Sequence, residues 1–543
     1  MGNKSDEKLF KRTISLFLTA ILISGTISGT CLADSFTLPK GGFYVIGGGN
    51  SVERIESGMV YVITGGGIVS LDVPVVPPEP EYPPPAIDIS SVNIGLYYGN
   101  DAQPSATIEN VVGRGFKFGF YDANRVFYEV GSTSETALTL ARDTNVSVSG
   151  GELGCYHILL PGTYWSFADA LEASRAYDDA FPAYYSGAYF VLAGQYPSYT
   201  SALEGVAQRG IGGEAFTASD RCVTVTKTGS TRILFEFDYS TSFSLTVRPV
   251  SGDANAQTRL KNHKNDRAFV YYGDFQFARV GGGDMTISNI LNIEDYVKGV
   301  VPYEMYSTWP LEALKAQAIC ARTYVAYNLG KHRAHGFDVC DTVECQAYLG
   351  TMSATAHTDA AINETAGKYV SYHGELCQTF YSSSDGGATE DSENVFIQAL
   401  PYCRGVADPY EDALDFYNKS WKYTLSAQQI QDRLTARGYK IAAIVSIEPE
   451  YTRMENMASL TFTDVNGKKI TITKDQCRTV MELPSINYRL KPSEQKSNSY
   501  DIEGGGWGHS VGMSQWGAHA MALEYGKTAE EILKFYYTGV TIG

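Results

Sequence analysis

The sequence predicts a mixed, β-rich α+β protein of several domains, and three observations support this prediction. Tyrosine and glycine are abundant, with 38 and 54 copies in 543 residues, as is typical of strands joined by tight turns. A proline-rich stretch divides two regions of different texture. Alanines recur from Leu311 to Leu329, which predicts a closely packed helix. We therefore expect antiparallel sheet around a buried helix.

The N-terminal segment, residues 1–33, has the pattern of a secretory signal. Basic residues precede an apolar run over 14–23, and small residues lead to Cys-Leu-Ala at 31–33. We expect cleavage after Ala33, with an uncleaved N-terminal anchor as the alternative.

The mature chain is predicted to contain further units in series. Residues 34–73 form short β-like runs separated by glycine triplets, a module whose role the sequence does not indicate. Residues 74–86 are rich in proline and predict an extended, semi-rigid linker. Residues 87–250 are expected to be mainly strands, and the last unit is predicted to span 258–543.

One part of the β-rich region, about 156–225, has a recognisable order of elements. A helical segment over 166–177 precedes an apolar strand over 187–194 and a second helical start at 196–204. This order resembles part of a SPOR module, a small glycan-binding α/β domain. A plain spacer domain is the alternative reading.

Charge and cysteine content exclude some classes of protein. The formal net charge is −17, which argues against a nucleic-acid partner. The nine cysteines are too few and too scattered for a scaffold built from disulfides. Ordinary hydrophobic cores must therefore stabilise the chain.

Glu304 is the candidate catalytic residue. It lies just before the alanine-rich helix, with Tyr303, Tyr306 and Trp309 close in sequence. An apolar setting keeps a carboxyl protonated, so that it can protonate a glycosidic oxygen and afterwards accept a proton. On residue type alone, a solvated or helix-capping glutamate is the more common explanation.

Long segments around and after Glu304 closely resemble the signature of the SpoIID/LytB family. The resemblance covers roughly residues 258–543. The matching segments are 292–305, 309–324, 338–348, 379–387 and 505–517. The chain departs from the family pattern at Ser510, where glycine is usual, and at Tyr306, where proline often follows Glu-Met.

The resemblance implies a peptidoglycan lytic transglycosylase, a lyase. The residue matching Glu304 would protonate the bond between MurNAc and GlcNAc and then act as base. The C6 hydroxyl of the sugar would attack the anomeric carbon, which gives a 1,6-anhydro-MurNAc end. Members of the sporulation type act on glycan strands stripped of stem peptides.

Two rival functions stay open. The first is a non-catalytic wall-binding enhancer of an N-acetylmuramoyl-L-alanine amidase, with that wall amidase as partner. The second is a zinc hydrolase. Either way, the expected location is outside the cell, in the wall or on the outer face of the cytoplasmic membrane of a Gram-positive-type bacterium.

Further residues in the matching segments are predicted to contact glycan. Arg322 matches a family position in the active-site groove, although a structural salt bridge would explain it too. The polar and glycine-rich loops around 381–387 and 507–515 suit close approach to a sugar, and a tight or buried turn would look similar. The predicted substrate-binding residues are Arg322, Gln317, Tyr381, Ser382, Ser384, Gly386, Gly387, Trp507, His509 and Gln515.

His335, Cys340 and Cys345 are the predicted metal ligands. Two thiolates and an imidazole suit Zn²⁺, with His332 as an alternative to His335. A Cys340–Cys345 disulfide and free thiols are the competing readings. The family resemblance implies a zinc site built from these cysteines, with a structural role near Glu304.

Overall fold

The structure is a computed structural model. It describes residues 87, 89, 91–239, 242–251, 255–262, 269–417 and 419–543, together with the backbone of short strands between residues 30 and 72. The chain divides into two compact units, residues 1–81 and residues 82–543. Within the described residues, no helix combines the length and the apolar character needed to span a membrane.

The first unit contains short antiparallel β pairs. Its strands are β1 (Thr30–Cys31), β2 (Asp34–Ser35), β3 (Phe43–Ile46), β4 (Val52–Ile55), β5 (Met59–Thr64) and β6 (Gly67–Asp72). Strand β1 pairs with β2, β3 with β4, and β5 with β6. The predicted linker at 74–86, and the predicted signal apart from the β1 backbone, lie outside the described residues.

The second unit begins with a long series of strands. These are β7 (Val92–Tyr97), β8 (Ser105–Val112), β9 (Phe116–Tyr121), β10 (Phe127–Thr133), β11 (Ala137–Arg142), β12 (Val146–Val148), β13 (Gly151–Leu153), β14 (Tyr156–Leu159), β15 (Ala180–Tyr185), β16 (Ala188–Tyr196), β17 (Glu214–Thr217), β18 (Val223–Lys227), β19 (Ile233–Asp238), β20 (Leu245–Pro249), β21 (Gln257–Asn262), β22 (Phe269–Tyr271), β23 (Asp274–Arg279), β24 (Met285–Leu291) and β25 (Val339–Cys340).

Further strands follow in the C-terminal part. They are β26 (Val370–Tyr372), β27 (Glu375–Leu376), β28 (Tyr381–Ser382), β29 (Ser420–Ser426), β30 (Ile444–Tyr451), β31 (Met457–Asp464), β32 (Lys469–Thr473), β33 (Tyr488–Pro492), β34 (Ser499–Gly505), β35 (Met513–Ser514) and β36 (Thr541–Ile542).

The α-helices lie mainly in the C-terminal half. They are α1 (Phe167–Ser174), α2 (Tyr199–Arg209), α3 (Ile293–Lys298), α4 (Val301–Glu304), α5 (Leu311–Tyr327), α6 (Ala356–Glu364), α7 (Ser392–Val395), α8 (Ala427–Ala436), α9 (Gln476–Thr479), α10 (Gln515–Tyr525) and α11 (Ala529–Tyr536). Together with the sheets they confirm the predicted α+β class.

Two large sheets organise the strands up to β25. One has the order β10-β9-β20-β23-β24-β7-β25, and the other β17-β14-β16-β15-β19-β18-β11-β8-β21-β22. Both sheets combine strands from 87–250 with strands from beyond 255. The sequence suggested that residues 87–250 and 258–543 are separate units. In the structure, hydrogen bonds between strands join the two regions into shared sheets, and they share one hydrophobic core.

Strands β14 to β17 and helices α1 and α2 form a β-α-β-β-α-β unit. Its strand order is β17-β14-β16-β15, and its own small core contains Ile158, Ala170 and Val191. Ser166 and Ser198 cap the two helices through their side chains. The helices and strands predicted over 156–225 are present, while the relation to SPOR modules stays a prediction.

Helix α5 runs through the main core. It begins after Pro310 and ends two residues earlier than predicted, and its alanines are almost entirely buried. Small side chains let α6, α10 and α11 pack closely against it. Residues between 425 and 502 form a second, separate core, which includes Ile430, Leu460 and Ile502.

Candidate active site

Glu304 ends the short helix α4 and points toward two segments distant in sequence. Its Oε1 accepts a hydrogen bond from the backbone N–H of Ala347, at 2.9 Å. Its Oε2 accepts one from Nε2 of Gln515, at 3.3 Å. The hydroxyl of Tyr381 also lies within hydrogen-bonding reach of this carboxylate. The side chain is only partly exposed.

Burial raises the pKa of Glu304 above its ordinary value, since a charged carboxylate loses its hydration there. The hydrogen bonds from Ala347 and Gln515, with the nearby Tyr381 hydroxyl, oppose this shift but do not cancel it. A raised pKa keeps a carboxyl protonated to a higher pH than usual, so that it can donate a proton and accept one afterwards. The contacts that the structure describes thus give Glu304 the properties of a general acid and base.

Gln317 and Gln515 come together beside Glu304. Gln515 is the first residue of α10, and its Nε2 is 3.3 Å from Oε1 of Gln317 on α5. The Gln317 Nε2 is buried and has no hydrogen-bond partner within the described part of the chain. The structure therefore places both predicted residues at the carboxylate.

Tyr381 and Ser382 form β28, which pairs in parallel with β35 immediately before Gln515. The Tyr381 hydroxyl donates to Oε1 of Gln346, at 2.9 Å. Gln346 in turn donates to the Tyr296 hydroxyl, at 3.1 Å. Gln346 and Ala347 were not among the predicted site residues, although both lie inside the matching segment 338–348. Only the folded chain shows that their polar groups face Glu304 and Tyr381.

Ser384 was predicted to contact glycan, but in the structure its side chain helps to fix the loop that contains it. Its hydroxyl is buried and donates to Glu411 Oε2, at 2.7 Å. Glu411 also accepts the backbone N–H groups of Asp385 and Gly386. The loop is thereby fixed from beneath, and the Ser384 oxygen is not free to bind a sugar.

The surface of the same loop stays accessible. A Cβ added at Gly387 would meet no atom within 4 Å, whereas one at Gly386 would lie 2.7 Å from the Gly505 backbone. Trp507 pairs through its backbone with Ser384, and 48% of its side chain is exposed. Gly387 and Trp507 are therefore available to a ligand, while Gly386 is required for loop packing.

His509 stabilises this region as a neutral ring. Its Nδ1 accepts the N–H of Val511 at 3.0 Å, and its ring packs against Phe380 and Phe396. Burial lowers the pKa of His509 to about 4, so the ring stays uncharged at neutral pH. These contacts make His509 a support of the loop.

Arg322 does not reach a ligand, which corrects its predicted role in the groove. Its side chain is 0% exposed and forms a bidentate ion pair with Glu294, at 2.9 and 2.6 Å. It also donates to the backbone carbonyl of Lys368. Helix α5 directs Arg322 into the core toward α3, so the structural salt bridge is the correct interpretation.

Aromatic side chains form a patch next to the carboxylate. Tyr306 follows Glu304 by two residues and is 66% exposed. Its ring lies 5.5 Å from that of Trp309, which lies 4.7 Å from Trp516. Trp516 stacks on Phe416 at 4.3 Å. Apolar ring faces of this type bind the C–H faces of sugars.

The structure brings His332, the alternative to His335, close to Cys340 and Cys345. Nε2 of His332 and the sulfurs of Cys340 and Cys345 lie within 4.8 Å of one another, and His332 is 3.4 Å from Cys345. His335, the predicted ligand, instead lies against Tyr98, because a short 3₁₀ turn (Arg333–His335) separates the two imidazoles. Cys340 and Cys345 are free thiols.

This cluster fits zinc and adjoins Glu304. Two sulfurs and an imidazole nitrogen are preferred zinc ligands, and they would leave one of the four coordination positions of the ion open. The hydrogen bond between the two sulfurs lowers the pKa of the Cys340 thiol to about 4 and raises the pKa of Cys345, so one of the two sulfurs is readily a thiolate. Ala347, which contacts Glu304, follows Cys345 by two residues, so an ion here would fix that contact.

Comparisons with known proteins match the region that contains these residues. The model of the family described as "Stage II sporulation protein" (SpoIID) matches residues 281–372, which include Glu304 and the thiol cluster. A domain of unknown function (DUF8618) matches residues 391–512, a range that contains all buried residues of the second hydrophobic core.

Several proteins are similar to this chain in sequence. An uncharacterized protein of Brachyspira hyodysenteriae is 39% identical over 50% of this chain and 72% of its own length. The stage II sporulation protein D of Bacillus subtilis is 33% identical over 48% of this chain and 76% of its own length. The amidase enhancer of Bacillus subtilis is 31% identical over 45% of this chain and 40% of its own length.

Proposed function

This chain belongs to the SpoIID family, and we propose that it is a peptidoglycan lytic transglycosylase acting outside the cytoplasmic membrane. The substrate is the glycan strand, preferably after its stem peptides have been removed. The single observation that carries the proposal is a partly buried Glu304 with a raised pKa, contacted by neutral hydrogen-bond donors.

Glu304 performs both proton transfers. Its carboxyl donates a proton to the oxygen that joins MurNAc to GlcNAc, and the bond from that oxygen to the anomeric carbon breaks. The resulting carboxylate removes the proton of the C6 hydroxyl of MurNAc. The C6 oxygen then bonds to the anomeric carbon, which yields the 1,6-anhydro sugar. Glu304 ends the cycle protonated, and no water is consumed.

Neutral neighbours support this sequence of steps. The Ala347 N–H and the Gln515 amide stabilise the carboxylate after the first transfer without adding a positive charge that would keep it ionised. The Gln317–Gln515 contact holds the amide in place. Both charge states of Glu304 are thereby accessible during one turnover.

The aromatic patch of Tyr306, Trp309, Trp516 and Phe416 supports a glycan substrate. Tyr306 and Trp507 offer exposed rings on segments that adjoin the site. The β-α-β-β-α-β unit adds a further candidate glycan surface, because Trp165, just before α1, is 97% exposed. These surfaces would orient a strand so that one glycosidic bond meets Glu304.

Zn²⁺ is proposed as a structural ion at His332, Cys340 and Cys345. Bound there, it would hold the segment 345–347 against Glu304 and Tyr381. Replacement of Cys345 by serine is expected to lower zinc content, thermal stability and glycan cleavage together, as metal analysis and melting curves would show. Loss of activity with full zinc content would contradict this role.

The test of the activity is mass spectrometry of products from purified peptidoglycan, with and without amidase pretreatment. We expect 1,6-anhydro products from the native chain and from Glu524→Gln, a control on the exposed face of α10. Glu304→Gln should give none. Pretreatment should increase the yield if peptide-stripped glycan is preferred.

Amidase enhancement is the second candidate function, and the relative named as an amidase enhancer favours it. If native chain and Glu304→Gln both bind glycan, yield no anhydro product and equally accelerate a wall amidase, the enhancer function replaces catalysis. If anhydro products depend on Glu304, the transglycosylase assignment stands.

A further inference from the structure

A second cluster of potential metal ligands lies in the ten-stranded sheet, outside the segment that matches SpoIID. Its members are Asp143, directly after β11, His157 on β14 and Glu236 on β19. One nitrogen or oxygen from each lies within 4.8 Å of the others. His157 and Glu236 are wholly buried, whereas Asp143 keeps a partly exposed side. An ion would enter past Asp143.

The orientation of His157 is that of a metal ligand. Its Nδ1 is 2.7 Å from the carbonyl oxygen of Gly194, and a carbonyl only accepts, so Nδ1 carries the hydrogen. Ligating histidines typically donate their second ring N–H to a carbonyl or carboxylate in this way. The lone pair of the neutral ring is therefore on Nε2, which faces the carboxylates.

The Nε2 atom has no satisfactory hydrogen bond in the described part of the chain. It lies 3.1 Å from Oε1 of Glu236, but the direction does not suit an N–H···O bond. A fully buried ring nitrogen without a partner costs free energy. A cation between this nitrogen and the carboxylates would satisfy it.

Other groups hold the carboxylates in place. The Tyr185 hydroxyl donates to Glu236 Oε2 at 2.7 Å, which leaves Oε1 facing His157. The Thr224 hydroxyl lies 3.4 Å from Asp143 Oδ1 and 3.3 Å from Glu236 Oε1. The nearby cation Arg279 donates to backbone carbonyls of the cluster region and not to either carboxylate. Two carboxylates and an imidazole nitrogen thus face one another, and a cation held between them would compensate the carboxylate charge.

We propose that Asp143, His157 and Glu236 bind a divalent transition-metal ion such as Zn²⁺. Imidazole nitrogen and carboxylate oxygen bind zinc at about 2.0–2.2 Å, so one ion reaches atoms up to roughly 4.2 Å apart. Small side-chain shifts thus suffice. The ion links β14 of the β-α-β-β-α-β unit to β11 and β19, and this role is independent of the activity proposed for Glu304.

The experiment uses the purified full chain in the Cys345→Ser background, which weakens the thiol site. The protein is stripped with a chelator, dialysed against Zn²⁺ or Co²⁺, and analysed for bound metal. We expect one metal ion per Cys345→Ser chain and loss of that ion in Cys345→Ser/Glu236→Gln. Bound Co²⁺ should lack the near-ultraviolet charge-transfer band of thiolate ligands, which separates this site from Cys340.

A milder variant keeps the proposal testable if Glu236→Gln does not fold. Tyr185→Phe removes the hydroxyl that orients Glu236 and should weaken metal affinity about 10-fold or more. Tyr184→Phe, on the opposite face of the same strand, should not. If folded Cys345→Ser protein, judged by circular dichroism, takes up no metal and gains no thermal stability from Zn²⁺, the cluster is an imidazole–carboxylate ion pair and the proposal is wrong.

Discussion

Replacement of Arg322 tests whether this residue supports the fold or binds substrate. In Arg322→Gln, the bidentate ion pair with Glu294 and the bonds to backbone carbonyls are lost. Breaking a buried pair costs about 3–5 kcal/mol. In the variant, Glu294 still accepts a hydrogen bond from the backbone N–H of Gly367, and 28% of its side chain is exposed. The loss of stability should therefore lie at the lower end of this range, about 3 kcal/mol. The melting temperature should fall by about 3 °C, taking about 1 °C per kcal/mol for a unit that spans residues 82–543.

Thermal unfolding and glycan co-sedimentation at a temperature well below the transition separate the two roles. The control is Arg175→Gln, whose partner Glu172 is exposed, with side-chain exposures of 67% and 72%. Exposed pairs contribute about 0–1 kcal/mol, so the control should melt almost as the native chain does. An unchanged melting temperature of Arg322→Gln with weakened glycan binding would refute the structural role.

The remaining predictions concern the site itself. Glu304→Gln should raise the melting temperature at neutral pH. The raised pKa of Glu304 in the folded state makes the stability of the native chain fall as pH rises, and glutamine removes this effect. The gain should vanish below the ordinary glutamate pKa of about 4.3. Tyr306→Ala should weaken glycan co-sedimentation severalfold while leaving the melting temperature almost unchanged, since its ring is exposed. Gly508→Ala should reduce glycan cleavage, because the φ of Gly508 is +120° and an added Cβ would lie 2.6 Å from the Cβ of Ser382. Gly162→Ala is the control, because Gly162 has a φ of +105° but an added Cβ would meet no atom within 4 Å.

Local patterns predicted the elements around the site well. Pro310 and the alanine run located α5 to within two residues. The helix predicted over 166–177 contains α1, and the strand predicted over 187–194 overlaps β16. Such features depend on neighbours in sequence, so periodicity and turn residues suffice to identify them.

Non-local contacts were not predictable in the same way. Arg322 and Glu294 are 28 residues apart, and no local sequence pattern in either segment indicates that they form an ion pair. Gln515 meets Glu304 across 211 residues. The joining of 87–250 to later strands depends on β7 and β9 entering a sheet with β20, β23 and β24. Strand pairing over such separations is decided by packing, which one sequence does not display.

The choice between His332 and His335 illustrates the same limit at short range. Both lie a few residues before Cys340, and spacing alone favours neither. Backbone conformation decides, since the turn ending at Gly336, with φ +88°, directs His332 toward the sulfurs and leaves His335 against Tyr98. Gly336 could have signalled a turn, but not which ring faces the thiols.

The arrangement of charge around Glu304 links the fold to the proposed chemistry. A cation beside the carboxylate would lower its pKa and leave it ionised, unable to protonate a glycosidic oxygen. The fold pairs Arg322 with Glu294 inside the core, and Glu411 is held by hydroxyl and backbone donors of its own. Burial then dominates the pKa of Glu304. An arginine introduced at Gln515 should therefore lower that pKa and abolish proton donation while preserving the fold, whereas Gln515→Leu should shift the alkaline limit of the pH–activity profile upward. A Gln515→Arg variant as active as the native chain at neutral pH would show that Glu304 does not act as the acid.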